Sequence, residues 1–152
     1  MAFLVSLFIS LPSDADDHDE PEQELFSDDN LLIVDIILGK YRLASDVFIY
    51  TSAERTVVPL QPILDAVEFP IHVDPVAGKA NGWFLREGHE FSLNTELREV
   101  VIDGQASSIS PNAVIVSDGF DLYVDIELLQ QWFPFQTTLE IGKLRLLISS
   151  ET

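Results

Sequence analysis

The chain has 152 residues, enough for one domain with a sizeable core, and 47% of them are apolar. Eight Lys and Arg against 26 Asp and Glu give a formal charge of −18, which repels a polyanion or an anionic membrane surface and excludes nucleic acid from the expected partners. Without cysteine there is neither a disulfide nor a thiolate metal site.

Ala2 to Leu11 is a run dominated by Phe, Leu, Val and Ile, shorter than the about 20 apolar residues that a membrane-spanning helix needs. Its length suits the apolar centre of a secretory signal, and Ser13 and Ala15 offer small residues where a signal peptidase reads. Residues 1–15 therefore read as the remnant of a signal peptide whose basic start is trimmed; the competing readings are a buried N-terminal strand and an exposed tail. From Asp14 to Asp29 nine of sixteen residues are acidic and none is Lys or Arg, so repulsion and scarce apolar area predict a disordered acidic linker over 16–30, with order beginning near Leu31. His18 stands among Asp16, Asp17, Asp19 and Glu20, but the glycine turn and terminal glutamate of a calcium loop are missing, and a solvated spacer is expected.

Leu31 to Leu38 is nearly continuous apolar sequence ending at Gly39-Lys40, a buried strand and a tight turn. Its echo is Val100-Val101-Ile102 ending at Asp103-Gly104, with further strand material in Tyr41 to Tyr50 and Gln105 to Val116. A stronger echo lies further on. Laid without a gap over Tyr123 to Leu139, the stretch Val57 to Val73 puts Val58 on Val124, Leu60 on Ile126, Ile63 on Leu129, Val67 on Phe133 and Phe69 on Phe135. The apolar step changes along it from three or four residues to two, which marks a short helix followed by a strand. Pro59 and Asp125 suit the start of those helices, Pro62 is tolerable within the first turn, and Pro70 and Pro134 end them. The fold class predicted is α+β: two repeated units of β-hairpin, short helix and strand forming a mostly antiparallel, β-rich domain over 31–152. The repeats cover 31–80 and 99–150.

Between them, residues 81–98 have no echo and predict an inserted hairpin with arms Trp83 to Leu85 and Phe91 to Leu93 around Arg86-Glu87-Gly88-His89. Trp83 and Phe84 point to opposite faces of a strand, so Trp83, Phe84, Arg86, His89 and Phe91 form the candidate partner or ligand surface; the alternative is that the aromatics cap the seam between repeats. Trp132, beside Phe133 on the second helix, reads as core.

The pattern of strand, Gly turn, strand and then Val58-Pro59-Leu60-Gln61-Pro62-Ile63-Leu64-Asp65-Ala66-Val67 resembles the non-catalytic stalk module named after the N-terminal domain of copper amine oxidases. Over about 31–149, the succession Val57 to Leu60, Phe69 to Gly78, Gly82 to Glu87, Phe91 to Leu93, Leu122 to Asp125 and Leu144 to Leu146 is similar to the N-terminal periplasmic region of usher-like (fimbrial biogenesis usher-type) outer-membrane proteins. It departs from the N-terminal domain of pilus ushers, which binds chaperone–subunit complexes. The likeness implies a periplasmic or cell-envelope location in a Gram-negative bacterium, export by a signal peptide, and a long barrel beyond Thr152. The partner it implies is a protein of the cell envelope or that C-terminal barrel.

No enzyme is expected. The three histidines, His18, His72 and His89, accompany no Gly-x-Ser-x-Gly elbow, and no glycine-rich phosphate loop is present. No cofactor or metal is expected either, and His72, alternating with Ile71 and Val73, is expected to face solvent. Two function classes are consistent with these residues: a non-enzymatic interaction or scaffold module that receives a partner on a sheet edge or on the inserted hairpin, or a glycan-binding module in which Trp83 or Trp132 stacks on a sugar.

Overall fold

A computed structural model describes Glu22 and residues 24–150; the signal-peptide reading of 1–15 lies outside the described residues. Within them the chain is β-rich, with two sheets and two short α-helices. The elements run β1 (Leu31–Leu38), β2 (Tyr41–Thr51), β3 (Thr56–Pro59), α1 (Leu60–Ala66), β4 (Ile71–Asp74), β5 (Lys79–Trp83) and β6 (Glu90–Asn94). They continue through β7 (Glu99–Ile102), β8 (Gln105–Ser108), β9 (Ile115–Ser117), β10 (Leu122–Asp125), α2 (Ile126–Trp132), β11 (Phe135–Glu140) and β12 (Arg145–Ser150).

A seven-stranded sheet has the order β11-β12-β1-β2-β3-β10-β9, and a five-stranded sheet the order β4-β5-β6-β7-β8. Every pairing is antiparallel except β1 with β12. Alternation along the strands sorts the faces: Val47 and Ile49 of β2, Val58 of β3 and Val124 of β10 enter the main core with Leu60, Ile63, Leu128 and Leu129 of the helices and Ile71, Val73, Phe91 and Val100 of the smaller sheet. Pro59 caps α1 from extended backbone, and Asp125 caps α2 with Oδ1, which accepts the Glu127 N–H at 3.2 Å. Asp125 is 7% exposed, and its Oδ2 is met by Arg55 Nη1 at 3.3 Å, while the same nitrogen donates to the Asn112 carbonyl at 2.7 Å. One carboxylate thus starts a helix and ties it to the loop between β2 and β3.

The pairings fall into matched sets. Tyr50 opposes Val57 and Thr51 opposes Thr56, as Val116 opposes Tyr123 and Ser117 opposes Leu122. Ile71 opposes Gly82 and Asp74 opposes Lys79, as Thr137 opposes Ile148 and Glu140 opposes Arg145. Gly78 before β5 and Leu144 before β12 both adopt positive φ. β3 and β10 pair with each other, Val58 directly opposite Val124.

Three expectations change. The stretch 16–30 is not a linker throughout: Leu25 is buried against Val57, Val114 and Tyr123, and the Phe26 ring lies 4.9 Å from Tyr50 and 5.4 Å from Tyr123. Two apolar side chains in an acidic run are enough to fasten it where the outer face of the large sheet would otherwise expose aromatic rings. The inserted hairpin is displaced, its arms being β5 and β6; Leu85 takes a positive φ and Phe84 leaves the strand for the core. Strand material from Gln105 to Val116 is interrupted between β8 and β9, where Pro111 cannot donate to a ladder.

Candidate functional site

The hairpin surface divides once its residues are placed. Phe84 and Phe91 are core residues, packed with Phe69, Phe133 and Trp132, and do not contribute to a surface. Trp83 is half-buried and Arg86 exposed. The His89 ring lies 4.2 Å from that of Phe84 at 34°, with its Nδ1 buried and without a hydrogen-bond partner; the Phe84 N–H donates to the His89 carbonyl and the His89 N–H to that of Arg86. This tip is held by its own backbone, and of the five candidates Arg86 is the exposed one. Trp132 is in the core and His72 is exposed. Among the described residues no group of three or more His, Asp or Glu could hold a metal ion, and no helix is long and apolar enough to cross a membrane.

Four strands end sheets, and they are not equivalent. β9 has three residues and β8 four, too short to template a long partner strand. The outer edge of β4 is closed by Gln61, second residue of α1: its Nε2 donates to the Ile71 carbonyl at 3.0 Å and its Oε1 accepts the Val73 N–H at 2.7 Å. A primary amide has the donor and acceptor of a strand residue, so this side chain substitutes for a neighbouring strand. β11 has six residues and the same register on β12 that β4 has on β5, which puts the backbone of Thr137 and Leu139 where Ile71 and Val73 stand. The corresponding second residue of α2 is Glu127. A carboxylate cannot donate to the Thr137 carbonyl, and the Glu127 side chain makes no hydrogen bond among the described residues. Among the described residues no side chain closes the edge of β11 as Gln61 closes that of β4, and the strand carries no charge from Phe135 to Leu139.

A cleft of about 520 Å³ opens between β2, β3, β10 and α1. Its walls include Asp46, Phe48, Pro62, Asp65, Asp121 and Tyr123. Asp46 sits at positive φ where the pairing of β1 with β2 shifts register; Asp65 Oδ1 accepts from Gln61 Nε2 at 2.9 Å. Burial, and then the Asp118 carboxylate, raise the pKa of Asp121, while burial followed by Asp121 keeps the Tyr123 hydroxyl protonated well past the usual phenol range. A larger hollow of about 670 Å³ lies beside Glu24, Asn30 and Arg55, but Arg55 is already engaged by Asn112 and Asp125.

The raised Asp121 pKa has a measurable sign. In the window above its ordinary value of 3.8 the folded chain keeps a proton that the unfolded chain has lost, so stability contributed at this site falls as pH rises through the folded value. Its side chain makes no hydrogen bond that asparagine would lose. Urea unfolding of Asp121→Asn should therefore give a more stable protein than the parent near neutral pH, the difference vanishing below 3.8; equal gains at both pH values would remove the electrostatic cause.

No family model, curated protein or solved structure matches this chain. Function must come from geometry. Sequence reasoning singled out the hairpin and missed Gln61, Tyr123 and the Asp46–Asp65–Asp121 cleft. The signal for the first was present, since Gln61 falls on Glu127 when Val58 is laid on Val124, and an amide replaced by a carboxylate at a helix start is a change of hydrogen-bonding capacity. Nothing in the spacing announces the cleft, which assembles from three strands and a helix.

Proposed function

We propose that this chain is a non-enzymatic interaction and scaffold module of the cell envelope: the periplasmic N-terminal domain of an usher-like outer-membrane assembly or secretion protein from a Gram-negative bacterium, built from a duplicated stalk-like unit. The observation that carries an interaction role is the open edge of β11, six residues long, uncharged to Leu139 and unplugged where the matching edge of β4 is plugged by Gln61. An extended segment of a partner adds there as an eighth strand, through main-chain hydrogen bonds. Duplication is supported by the matched pairings, by the positive φ shared by Gly78 and Leu144, and by the pairing of Val58 with Val124, which sets a local twofold axis between β3 and β10. On this reading β5 belongs to the first unit as β12 does to the second, and the insertion shrinks to β6 and its flanking turns. The location rests on the sequence likeness.

The glycan reading loses ground at the two tryptophans it rested on, Trp83 and Trp132. Trp132 is in the core, as are Phe84 and Phe91, which leaves the half-buried Trp83 alone on its hairpin.

The test is Glu127→Gln, which installs on α2 the amide that closes β4. In the free protein, exchange of the Leu139 amide hydrogen should be fast in the parent and slowed in the variant. A photo-reactive side chain at Thr138, exposed on β11, should crosslink an envelope protein in the native host, with a yield cut by Glu127→Gln; the same group at Ser107 on β8 should not. A crosslink indifferent to Glu127→Gln, or none at Thr138, would sink the reading.

A further inference from the structure

The cleft between β2, β3, β10 and α1 lies away from the β11 edge and has the composition of a receptor. Three carboxylates stand in its walls, Asp46, Asp65 and Asp121, and no Lys or Arg lines it among the described residues. Asp46 and Asp65 are exposed, and none of the three is paired with a cation. Tyr123 lines the same cleft. It is only 4% exposed, yet its hydroxyl has no hydrogen-bond partner among the described residues and is not sealed from solvent. No protein group among the described residues takes up this phenol oxygen, which leaves it free to accept a hydrogen bond from a polar group entering the cleft. Phe48, 47% exposed, supplies an aromatic wall.

The size of the cation can be read as well. Among the described residues the three carboxylates do not form a group that could hold one metal ion, so a cation that answers all three must be extended and carry several donors. Guanidinium meets that requirement with five N–H groups in a plane, and it also lies flat on an aromatic ring, whereas an ammonium is a compact point charge. Its weaker hydration lowers the cost of entry into a half-enclosed cleft. The formal charge of −18 draws basic surfaces towards the whole molecule, and the cleft is where such a surface would find an aromatic wall, carboxylates and a waiting hydroxyl together. We propose that this cleft receives an arginine side chain from a protein partner, the guanidinium lying against Phe48, shared among Asp46, Asp65 and Asp121 and donating to the Tyr123 hydroxyl oxygen. The site stands or falls independently of strand addition at β11.

The probe is N-acetyl-arginine amide, followed through backbone amide NMR shifts of the full chain at physiological salt, with N-acetyl-citrulline amide as the neutral counterpart of the same shape. The arginine derivative should give saturable shifts centred on Asp46, Phe48, Asp65 and Tyr123, and citrulline none. Asp65→Asn and Asp121→Asn should each weaken binding by about tenfold, the loss expected for one charge-assisted hydrogen bond, and Tyr123→Phe, which keeps the ring packing against Phe26 and Tyr50, by about threefold. Asp103→Asn, on the β7–β8 turn outside the cleft, should leave binding unchanged. Shifts that rise linearly and spread over carboxylates such as Glu96 and Asp103, or an affinity indifferent to Asp65→Asn, would reduce the effect to screening of the net charge and overturn the site. Equal binding of citrulline would overturn it too.

Discussion

Phe133→Ala is expected to cost about 3–5 kcal/mol, the range for removing a buried ring that its surroundings cannot refill. Phe133 is the hub of the aromatic core. Its ring lies 5.0 Å from those of Phe84 and Phe91, 5.6 Å from Phe69, 5.9 Å from Phe135 and 6.3 Å from Trp132. Those neighbours come from the segment after α1, the hairpin, β6, β11 and α2, so the ring joins both sheets and one deletion leaves all of them with a void on one side. Against the roughly 5–15 kcal/mol that holds a domain folded, such a loss leaves little margin. Urea unfolding gives the measure: the midpoint should fall steeply for Phe133→Ala and less for Phe133→Leu, which refills most of the volume. A midpoint within error of the parent's would mean that the rings do not form one core.

The second large effect is Gly82→Ala. β4 and β5 approach so closely that a Cβ on Gly82 would overlap the carbonyl oxygen of Pro70 and the Cα of Ile71. Both obstacles are backbone, which cannot swing aside like the end of a side chain. The two strands must part, and the small sheet loses the ladder from Ile71 to Asp74. The expected cost is about 3 kcal/mol, the upper end of what overpacking usually brings. Gly142→Ala is the control. Gly142 has open space around it and no positive φ, so alanine there should be neutral or slightly stabilising by reducing the freedom of the unfolded chain. Thermal or urea unfolding of the pair separates contact from chain entropy; similar midpoints for both variants would mean that β4 and β5 have slack.

Much of this fold was legible because local rules and tertiary need agree over the helices. Pro59 and Asp125 start helices where the sequence places them, and the apolar sets around Leu60, Ile63, Leu128 and Leu129 all reach the core. Sheet membership was not legible. The hairpin of β1 and β2 joins the large sheet, whereas that of β7 and β8 joins the small one; period-two alternation says which face a residue takes and nothing about which strand lies alongside. Leu25 and Phe26 were hidden by averaging, since composition weighs an acidic run as a whole while packing is decided by the two side chains that find a hydrophobic seat. Phe84 was misplaced because a strand pattern continued through Leu85, where the backbone turns left-handed. For the candidate sites, charge counting could register that carboxylates abound but could not say that three of them line one cleft with a tyrosine.

The parallel pairing of β1 with β12 has a mechanical consequence. Asp35 to Leu38 lie beside Arg145 to Ile148, so tension applied through the segments before β1 and after β12 pulls the two strands past each other along their length. The ladder is then loaded in shear, with its hydrogen bonds sharing the force, instead of being unzipped one bond at a time. Leu25 and Phe26 would release first, as a short fuse on the outer face of the sheet. The strand pair behind them is a clamp whose lifetime under load is governed by the barrier to sliding, a rate, and not by the equilibrium stability that urea reports.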